Sequence, residues 1–217
     1  MNLAKTQVFF DFDNTLTSFD VLDDIIKRFS PNEDWLKFER DWLAGKIGSK
    51  ECLQGQLRSV RIDNIGLFEY LSKIKIDPYF VKLLALLKQN GVEPIILSDS
   101  FSLIIEYILR SNGLKGIKVY SNRLKFQKNR LIPYFPHRDK TCNVCGHCKR
   151  NNLLKNTTKD KMIIYIGDGL SDICPAKEAD VVFAKGRLKK HFEKLKRQHI
   201  AINDLGDVYK YFMVRKV

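Results

Sequence analysis

Val8-Phe9-Phe10-Asp11-Phe12-Asp13-Asn14-Thr15 is the stretch on which the fold turns. Aromatic and branched residues across 7–12 run straight into two carboxylates, which predicts a buried strand ending at an acidic site. Side chains of a strand alternate, so Asp11 and Asp13 are expected on one side while Phe12 turns into the core. Two like charges this close raise each other's pKa unless a cation lies between them, and carboxylate oxygens suit Mg²⁺. A solvated strand end, or an Asx-type turn through Asn14, would leave the same letters.

Beyond Thr15 the spacing becomes helical. Val21, Leu22, Ile25, Ile26 and Phe29 form one apolar stripe, and Trp35, Phe38 and Trp42 a second. Cys52, Leu53, Leu57 and Val60 form a third after Ser49 as N-cap, and Leu67, Phe68 and Leu71 a fourth. Consecutive helices with no strand between them predict an all-α insert. Asp77 as N-cap, Pro78 in the first turn and Gly91 past the end bracket the next helix. Strands and helices then alternate: strands at 92–98, 118–121, 162–166 and 181–184, a helix at 103–111, and a hairpin at 123–133 turning near Lys128-Asn129. Such alternation predicts an α/β fold, a Rossmann-like parallel sheet with helices on both faces and ligands at the carboxyl ends of the strands. Residues 1–16 and 77–217 form the expected core, and 17–76 a helical cap inserted after the first strand.

The chain has 217 residues, 44% apolar and 29% charged, which fits a globular protein and excludes a disordered one; 12 Gly and 6 Pro exclude a collagen-like one. Lys and Arg number 38 against 25 Asp and Glu, a net charge of +13. That surplus points to anionic partners, whether phosphorylated metabolites, nucleic acid or anionic lipid. The early apolar run Val8-Phe9-Phe10 stops at Asp11, unlike a signal peptide, and no apolar run approaches the roughly 20 residues of a membrane span. A cytoplasmic location with no membrane association is expected.

Gly167-Asp168-Gly169-Leu170-Ser171-Asp172 supplies a second acidic cluster directly after an apolar strand. Its glycines permit close backbone approach, and Asp168 and Asp172 add oxygen ligands. A Gly-rich turn with Asp172 capping the next helix is the bland alternative. Parallel neighbours would bring this strand end beside Asp11, and four carboxylates at one sheet edge need a cation. Ser98 ends the strand containing Pro94-Ile95-Ile96-Leu97, where its hydroxyl either binds a phosphoryl oxygen or caps the following helix. Lys149 falls at the expected start of a short helix, as a point charge for a phosphoryl group or nucleophile.

Taken in order, Asp11-Phe12-Asp13-Asn14-Thr15, Ser98 at a strand end, a lysine, and Gly167-Asp168-Gly169 with Asp172 resemble the four motifs of the haloacid dehalogenase superfamily. The insert after the first motif is similar in position to the cap of its phosphoserine-phosphatase-like branch. The resemblance runs over 8–194. In finer detail the chain resembles two groups, the methionine-salvage enolphosphate phosphatases and the phosphoethanolamine/phosphocholine phosphatases. Both carry a cysteine-rich stretch ending in Cys-Lys, here Cys148-Lys149, which selects Lys149 over Lys128 and Lys161.

The resemblance implies a Mg²⁺-dependent phosphoric monoester hydrolase acting on a small phosphorylated metabolite. Asp11 would be the nucleophile that forms an aspartyl-phosphate. Asp13 would protonate the leaving alcohol and then activate water. Mg²⁺ would be held by the Asp11 carboxylate, the Asp13 carbonyl and Asp168, with Asp172 orienting the site, and Ser98 and Lys149 would bind the phosphoryl group. A pyrophosphatase or phosphotransferase would use the same site.

Departures bear on the substrate. Asp99-Ser100 stands where the salvage branch has a Gly pair; with Cys174-Pro175, it resembles the phosphoethanolamine/phosphocholine group. Length and the position of Asp20 lean back to the salvage branch. Asp99, Ser100 and Asp20 are therefore candidate substrate contacts, and Asp99, Asp20 or Asp23 would meet a cationic headgroup; capping of a helix start is the plainer role for Asp20 and Asp23.

Cys142, Cys145 and Cys148, with His137 and His147, offer ligands for a structural Zn²⁺. Thiols at i, i+3 and i+6 strain to share one ion, so reduced thiols or an adventitious disulfide are the favoured reading. Basic residues crowd 115–159 and 185–197. A nucleic-acid-binding protein with a cysteine-rich loop, stacking bases on Tyr134 and Phe135, is the rival from another class; it lacks any recognised nucleic-acid motif.

Overall fold

The computed structural model describes residues 3–139, 142 and 144–214. Its strands are β1 (Thr6–Phe10), β2 (Ile95–Phe101), β3 (Lys118–Gln127), β4 (Arg130–Tyr134), β5 (Met162–Gly167), β6 (Val181–Ala184) and β7 (Ile200–Ala201). They form one sheet in the order β4-β3-β2-β1-β5-β6-β7. Every neighbouring pair is parallel except the β3–β4 hairpin, whose turn falls at Lys128-Asn129 with Lys128 at φ 56°. The chain leaves β1 for β2 on one side and returns to β5 on the other. The carboxyl ends of these central strands therefore flank a topological switch point, where open α/β sheets bind ligands.

The alternation of β1 and β5 sorts the core into two layers. Val8, Phe10, Ile164 and Ile166 join a cluster on one face, and Phe9 and Tyr165 one on the other. The first layer is covered by α5 (Pro78–Gln89), α6 (Ser102–Ser111) and α10 (Leu205–Val214). The second is covered by α7 (Lys149–Lys155), α8 (Ile173–Ala176) and α9 (Gly186–Lys194). Helices on both faces of a mostly parallel sheet are the expected architecture.

Between β1 and α5 lie α1 (Val21–Phe29), α2 (Trp35–Leu43), α3 (Ser49–Leu57) and α4 (Asn64–Leu71), with no strand among them. Asp20 caps α1 through a 2.9 Å bond from the Asp23 amide, and Asp77 caps α5 through a 2.8 Å bond from the Tyr79 amide, with Pro78 as first residue. Val21, Ile25, Leu57, Val60, Leu67 and Leu71 belong to the same buried cluster as the first sheet face, so the helical segment and the sheet share one core.

Two local readings change. β1 stops at Phe10, and the chain turns at once, with the Leu16 amide donating to the Phe12 carbonyl at 2.8 Å and Asn14 at φ 53°. Phe12 is nevertheless fully buried. Ser49 is not the N-cap of α3: Gly48 holds that place without a side-chain bond. The Ser49 hydroxyl accepts from the Gly146 amide at 2.5 Å and its own amide donates to the Val144 carbonyl at 2.7 Å, a tertiary contact that outcompetes the local cap.

Gly55 in α3 is required by packing. A Cβ there would stand 2.2 Å from Phe38 Cδ1, so the α2 ring rests directly on the glycine. Ala gains about 1 kcal/mol of helix propensity, but displacing a packed ring costs about 1–3 kcal/mol. Gly55→Ala is therefore expected to be net destabilising, lowering Tm by about 2–4 °C per kcal/mol lost, as read by thermal unfolding. An unchanged or higher Tm would mean that α2 does not press on α3.

Candidate active site

Three strand ends meet. Asp11 follows β1, Ser98 to Ser100 lie in the carboxyl-terminal half of β2, and Asp168 follows β5. Their proximity comes from the β1–β5 pairing, in which Phe10 sits opposite Ile166 and the Asp11 amide donates to the Ile166 carbonyl at 2.9 Å. Among the described residues, Asp11, Asp168 and Asp172 form the one group of three metal-ligating side chains with ligand atoms all within 4.8 Å of one another.

Lys149, the first residue of α7, enters this group from the opposite layer. Its Nζ donates to Asp11 Oδ1 and to Asp172 Oδ1, both at 2.7 Å, and the ammonium is 2% exposed. Burial works against its charge, but the carboxylates of Asp11, Asp172 and Asp99 outweigh it and hold the lysine protonated. Tyr165 OH donates to Asp172 Oδ1 at 2.7 Å, and the amides of Asp168 and Gly169 donate to Asp172 Oδ2 at 3.0 and 2.9 Å. Burial opposes the Asp172 charge as well, yet Lys149 and these bonds keep its carboxyl below the usual range. With four donors, the lone pairs of Asp172 are filled by the protein. Gly167 makes this possible, because a Cβ there would lie 2.6 Å from Asp172 Oδ2.

The hydrogen bonds to Asp11 and Asp168 fall on one oxygen each, from Lys149 to Asp11 Oδ1 and from Thr15 to Asp168 Oδ1 at 3.3 Å. Burial and then the charge of Asp172 push Asp11 well up against the pull of Lys149; the same two causes push Asp168 up to about 6. A divalent cation would relieve both, and an all-oxygen donor set is what Mg²⁺ takes.

The expected convergence of four carboxylates resolves into three plus one. Asp13 lines the same cavity, but because the chain leaves extended geometry after Phe10 its Oδ1 turns toward the helical segment and accepts from the Val21 amide at 2.9 Å. Burial, then the charge of Asp20, pushes the Asp13 carboxyl well up, so it favours holding a proton.

Ser98 is buried, and its hydroxyl accepts from the Ser100 amide at 3.0 Å. It does not cap α6, whose N-cap is Phe101. β2 runs on past Ser98, and the stretch between Leu97 and Phe101 slips out of register: it stands against only Tyr120 to Asn122 of β3. This bulge carries two buried polar atoms with no partner among the described residues, Asp99 Oδ1 and Ser100 Oγ, and burial pushes Asp99 up to about 6.

These residues line a cavity of about 480 Å³. Its far wall comes from the helical segment and is acidic, with Asp20, Asp23 and Glu39 beside Trp42, while Lys185 and Arg187 stand at the end of β6. Reading the sequence missed Tyr165, Glu39, Trp42 and Arg187. The first had a signal, a hydroxyl inside the apolar run Met162-Ile163-Ile164-Tyr165-Ile166, since a buried Tyr seeks an acceptor. The zinc alternative finds no support among the described residues. Cys142, Cys145 and Cys148 do not gather into a ligand group, and His147 is committed to Ser98 O at 2.7 Å.

Comparison with known proteins agrees with this geometry. A family model described as "Putative Phosphatase" matches residues 6–205. The 2-hydroxy-3-keto-5-methylthiopentenyl-1-phosphate phosphatase of Brevibacillus brevis is 30% identical over 211 residues, covering 94% of this chain and 93% of its own. The protein of the same name from Geobacillus thermodenitrificans is 30% identical over 206 residues, covering 93% and 92%. In fold, the chain is similar to a solved phospho-aspartyl intermediate analogue of phosphoserine phosphatase, with TM-score 0.72, 21% identity and coverage of 95% and 98%. The phosphoserine phosphatase of T. onnurineus gives TM-score 0.70 at 19% identity, covering 97% and 95%. The chain thus belongs to the Putative Phosphatase family of phosphoric monoester hydrolases, and its fold is that of the solved phosphoserine phosphatases.

Proposed function

We propose that this protein is a Mg²⁺-dependent phosphatase that hydrolyses a small phosphomonoester through an aspartyl-phosphate on Asp11. The observation that carries the reading is the buried Lys149 ammonium bridging Asp11 and Asp172 at 2.7 Å, with Asp168 in the same group. The oxygens of Asp11 and Asp168 that protein donors leave open fit a divalent ion, with the Asp13 carbonyl as a further ligand; Asp172 orients the group from behind. When bound, Mg²⁺ supplies positive charge that offsets the Asp11 carboxylate and the phosphoryl oxygens.

Asp11 attacks phosphorus while Lys149 and Ser98 hold the phosphoryl oxygens in line. Asp13, its carboxyl pushed up by burial, gives its proton to the departing alkoxide and then takes one from the water that hydrolyses the acyl-phosphate. Residues 17–76 act as a cap, closing the far side of the cavity. A 480 Å³ space walled this way suits a metabolite rather than a macromolecule.

The wall of Asp20, Asp23 and Glu39, with Asp99 on the bulge, favours a leaving alcohol that carries a cationic group. The names of the relatives favour a second reading, an enol-phosphate with a neutral methylthio end. A phosphate-release screen over phosphoethanolamine, phosphocholine, phosphoserine, sugar enol-phosphates and pyrophosphate is expected to give turnover on a cationic monoester, dependent on Mg²⁺ and abolished by chelation. Asp11→Asn should fold normally and turn over nothing; residual turnover in that variant removes Asp11 as nucleophile.

Lys149→Met leaves Asp11 and Asp172 buried without their counter-charge. In chelator it should lose about 3–5 kcal/mol of stability by urea unfolding, the cost of breaking one partner of a buried ion pair. Mg²⁺ should return part of that loss, because a cation re-enters the same carboxylate group. A variant as stable as the parent without metal would contradict the charge balance described for the site.

A further inference from the structure

The β2 bulge at 98–100 is held from behind by two side chains that the chemistry above does not use. His147 Nδ1 lies 2.7 Å from the Ser98 carbonyl, and Asn122 Nδ2 donates to the Asp99 carbonyl at 2.6 Å. His147 is 1% exposed and Asn122 is fully buried, and neither lines the cavity. We propose that His147, locked by Asn152, is a positioning residue: by holding the Ser98 carbonyl on the side away from the cavity it aims the Asp99 N–H and the Ser98 hydroxyl at the phosphoryl group. This rests on the phosphatase reading above and adds a residue to it.

The hydrogen bonds define the state of the ring. A carbonyl accepts and never donates, so His147 Nδ1 carries the proton toward Ser98. Asn152 Nδ2 lies 2.9 Å from His147 Nε2 and also donates to the Cys148 carbonyl at 3.0 Å; its two protons serve both contacts, and Nε2 is the acceptor. The imidazole is therefore neutral, a state that its burial also enforces. Asn152 sits one turn along the helix that begins with Lys149. The chain Ser98–His147–Asn152 thus ties the end of β2 to the element that delivers the ammonium, and sets the spacing between the two phosphoryl contacts.

Peptide geometry supplies the rest. No peptide bond among the described residues is cis. In a trans peptide the C=O and the next N–H point in opposite directions. A Ser98 carbonyl anchored on His147 therefore turns the Asp99 N–H to the other side, where Ser98, Asp99 and Ser100 line the cavity. The Asn122 bond to the next carbonyl fixes the same bulge at its second peptide.

The test uses the full chain with Mg²⁺, p-nitrophenyl phosphate as substrate and orthovanadate as the phosphoryl probe. His147→Phe keeps a buried ring without the donor, and His147→Asn keeps a donor near the Nδ1 position. The first is expected to lower kcat and weaken vanadate inhibition by about tenfold or more each, the scale of a misplaced binding group, with the Mg²⁺ half-saturation unchanged. His147→Asn should regain most of the vanadate affinity, whatever its Tm. Asn152→Ala, which frees the ring, should weaken vanadate by about threefold or more. Vanadate inhibition and kcat of His147→Phe within threefold of the parent overturn the proposal, as does a His147→Asn no better than His147→Phe, since loss would then follow packing alone. Should His147→Phe fail to fold, Asn152→Ala decides, and parental vanadate inhibition there overturns it. A parent that neither turns over p-nitrophenyl phosphate nor responds to vanadate overturns the phosphatase reading and this proposal together; an active parent with indifferent variants overturns this one alone.

Discussion

A single ammonium group, buried at 2% exposure between two carboxylates, constrains the rest of the molecule. Lys149 can stay charged out of water only because Asp11 and Asp172 each approach it at 2.7 Å, and those carboxylates are tolerable there only because the lysine stands between them. Asp11 follows β1, Lys149 begins α7 and Asp172 lies in the turn after β5, so the charge balance demands that β1 and β5 be neighbours, with a helix layer on the face that carries α7. Tyr165 and the amides of Asp168 and Gly169 complete the arrangement by saturating Asp172, and Gly167 gives that carboxylate room.

Much of this was legible in the sequence because it is local and periodic. Continuous apolar runs ending at carboxylates pointed to β1 and β5, and Asp77-Pro78 with Gly91 to the limits of α5. The meeting of Asp11 with Asp168 followed from parallel pairing. What was illegible depends on long-range contacts. Ser49 opens α3 instead of capping it, because its hydroxyl accepts from Gly146, a partner 97 residues away. β1 ends two residues early because the Phe12 carbonyl closes a turn with Leu16, which sends the Asp13 carboxylate toward Val21 instead of Asp168. His147, which its cysteine neighbours offered only as a possible zinc ligand, is bonded to a strand 49 residues away. Residue spacing along the chain holds no record of such pairings.

Charge is distributed in two opposing senses. The chain carries a net +13, yet the wall that the helical segment presents to the cavity holds Asp20, Asp23 and Glu39. A basic exterior raises the local concentration of phosphorylated molecules. Under the proposed function, the acidic wall inside would disfavour a bare phosphate and favour a molecule with a positive end, separating the phosphoryl subsite near Lys149 from the leaving-group subsite near α1 and α2. The shared hydrophobic cluster beneath these helices fixes that wall to the sheet rather than leaving it as an independent unit.

The most direct measurement is a crystal structure of the protein grown with magnesium and beryllium fluoride, a mimic of a phosphorylated carboxylate. The expected density has beryllium bonded to an oxygen of Asp11, one magnesium ion shared by Asp11 and Asp168, and fluorides within reach of Lys149 Nζ and Ser98 Oγ. Asp11 unmodified and still clasped to Lys149, with any metal bound elsewhere, would contradict the account.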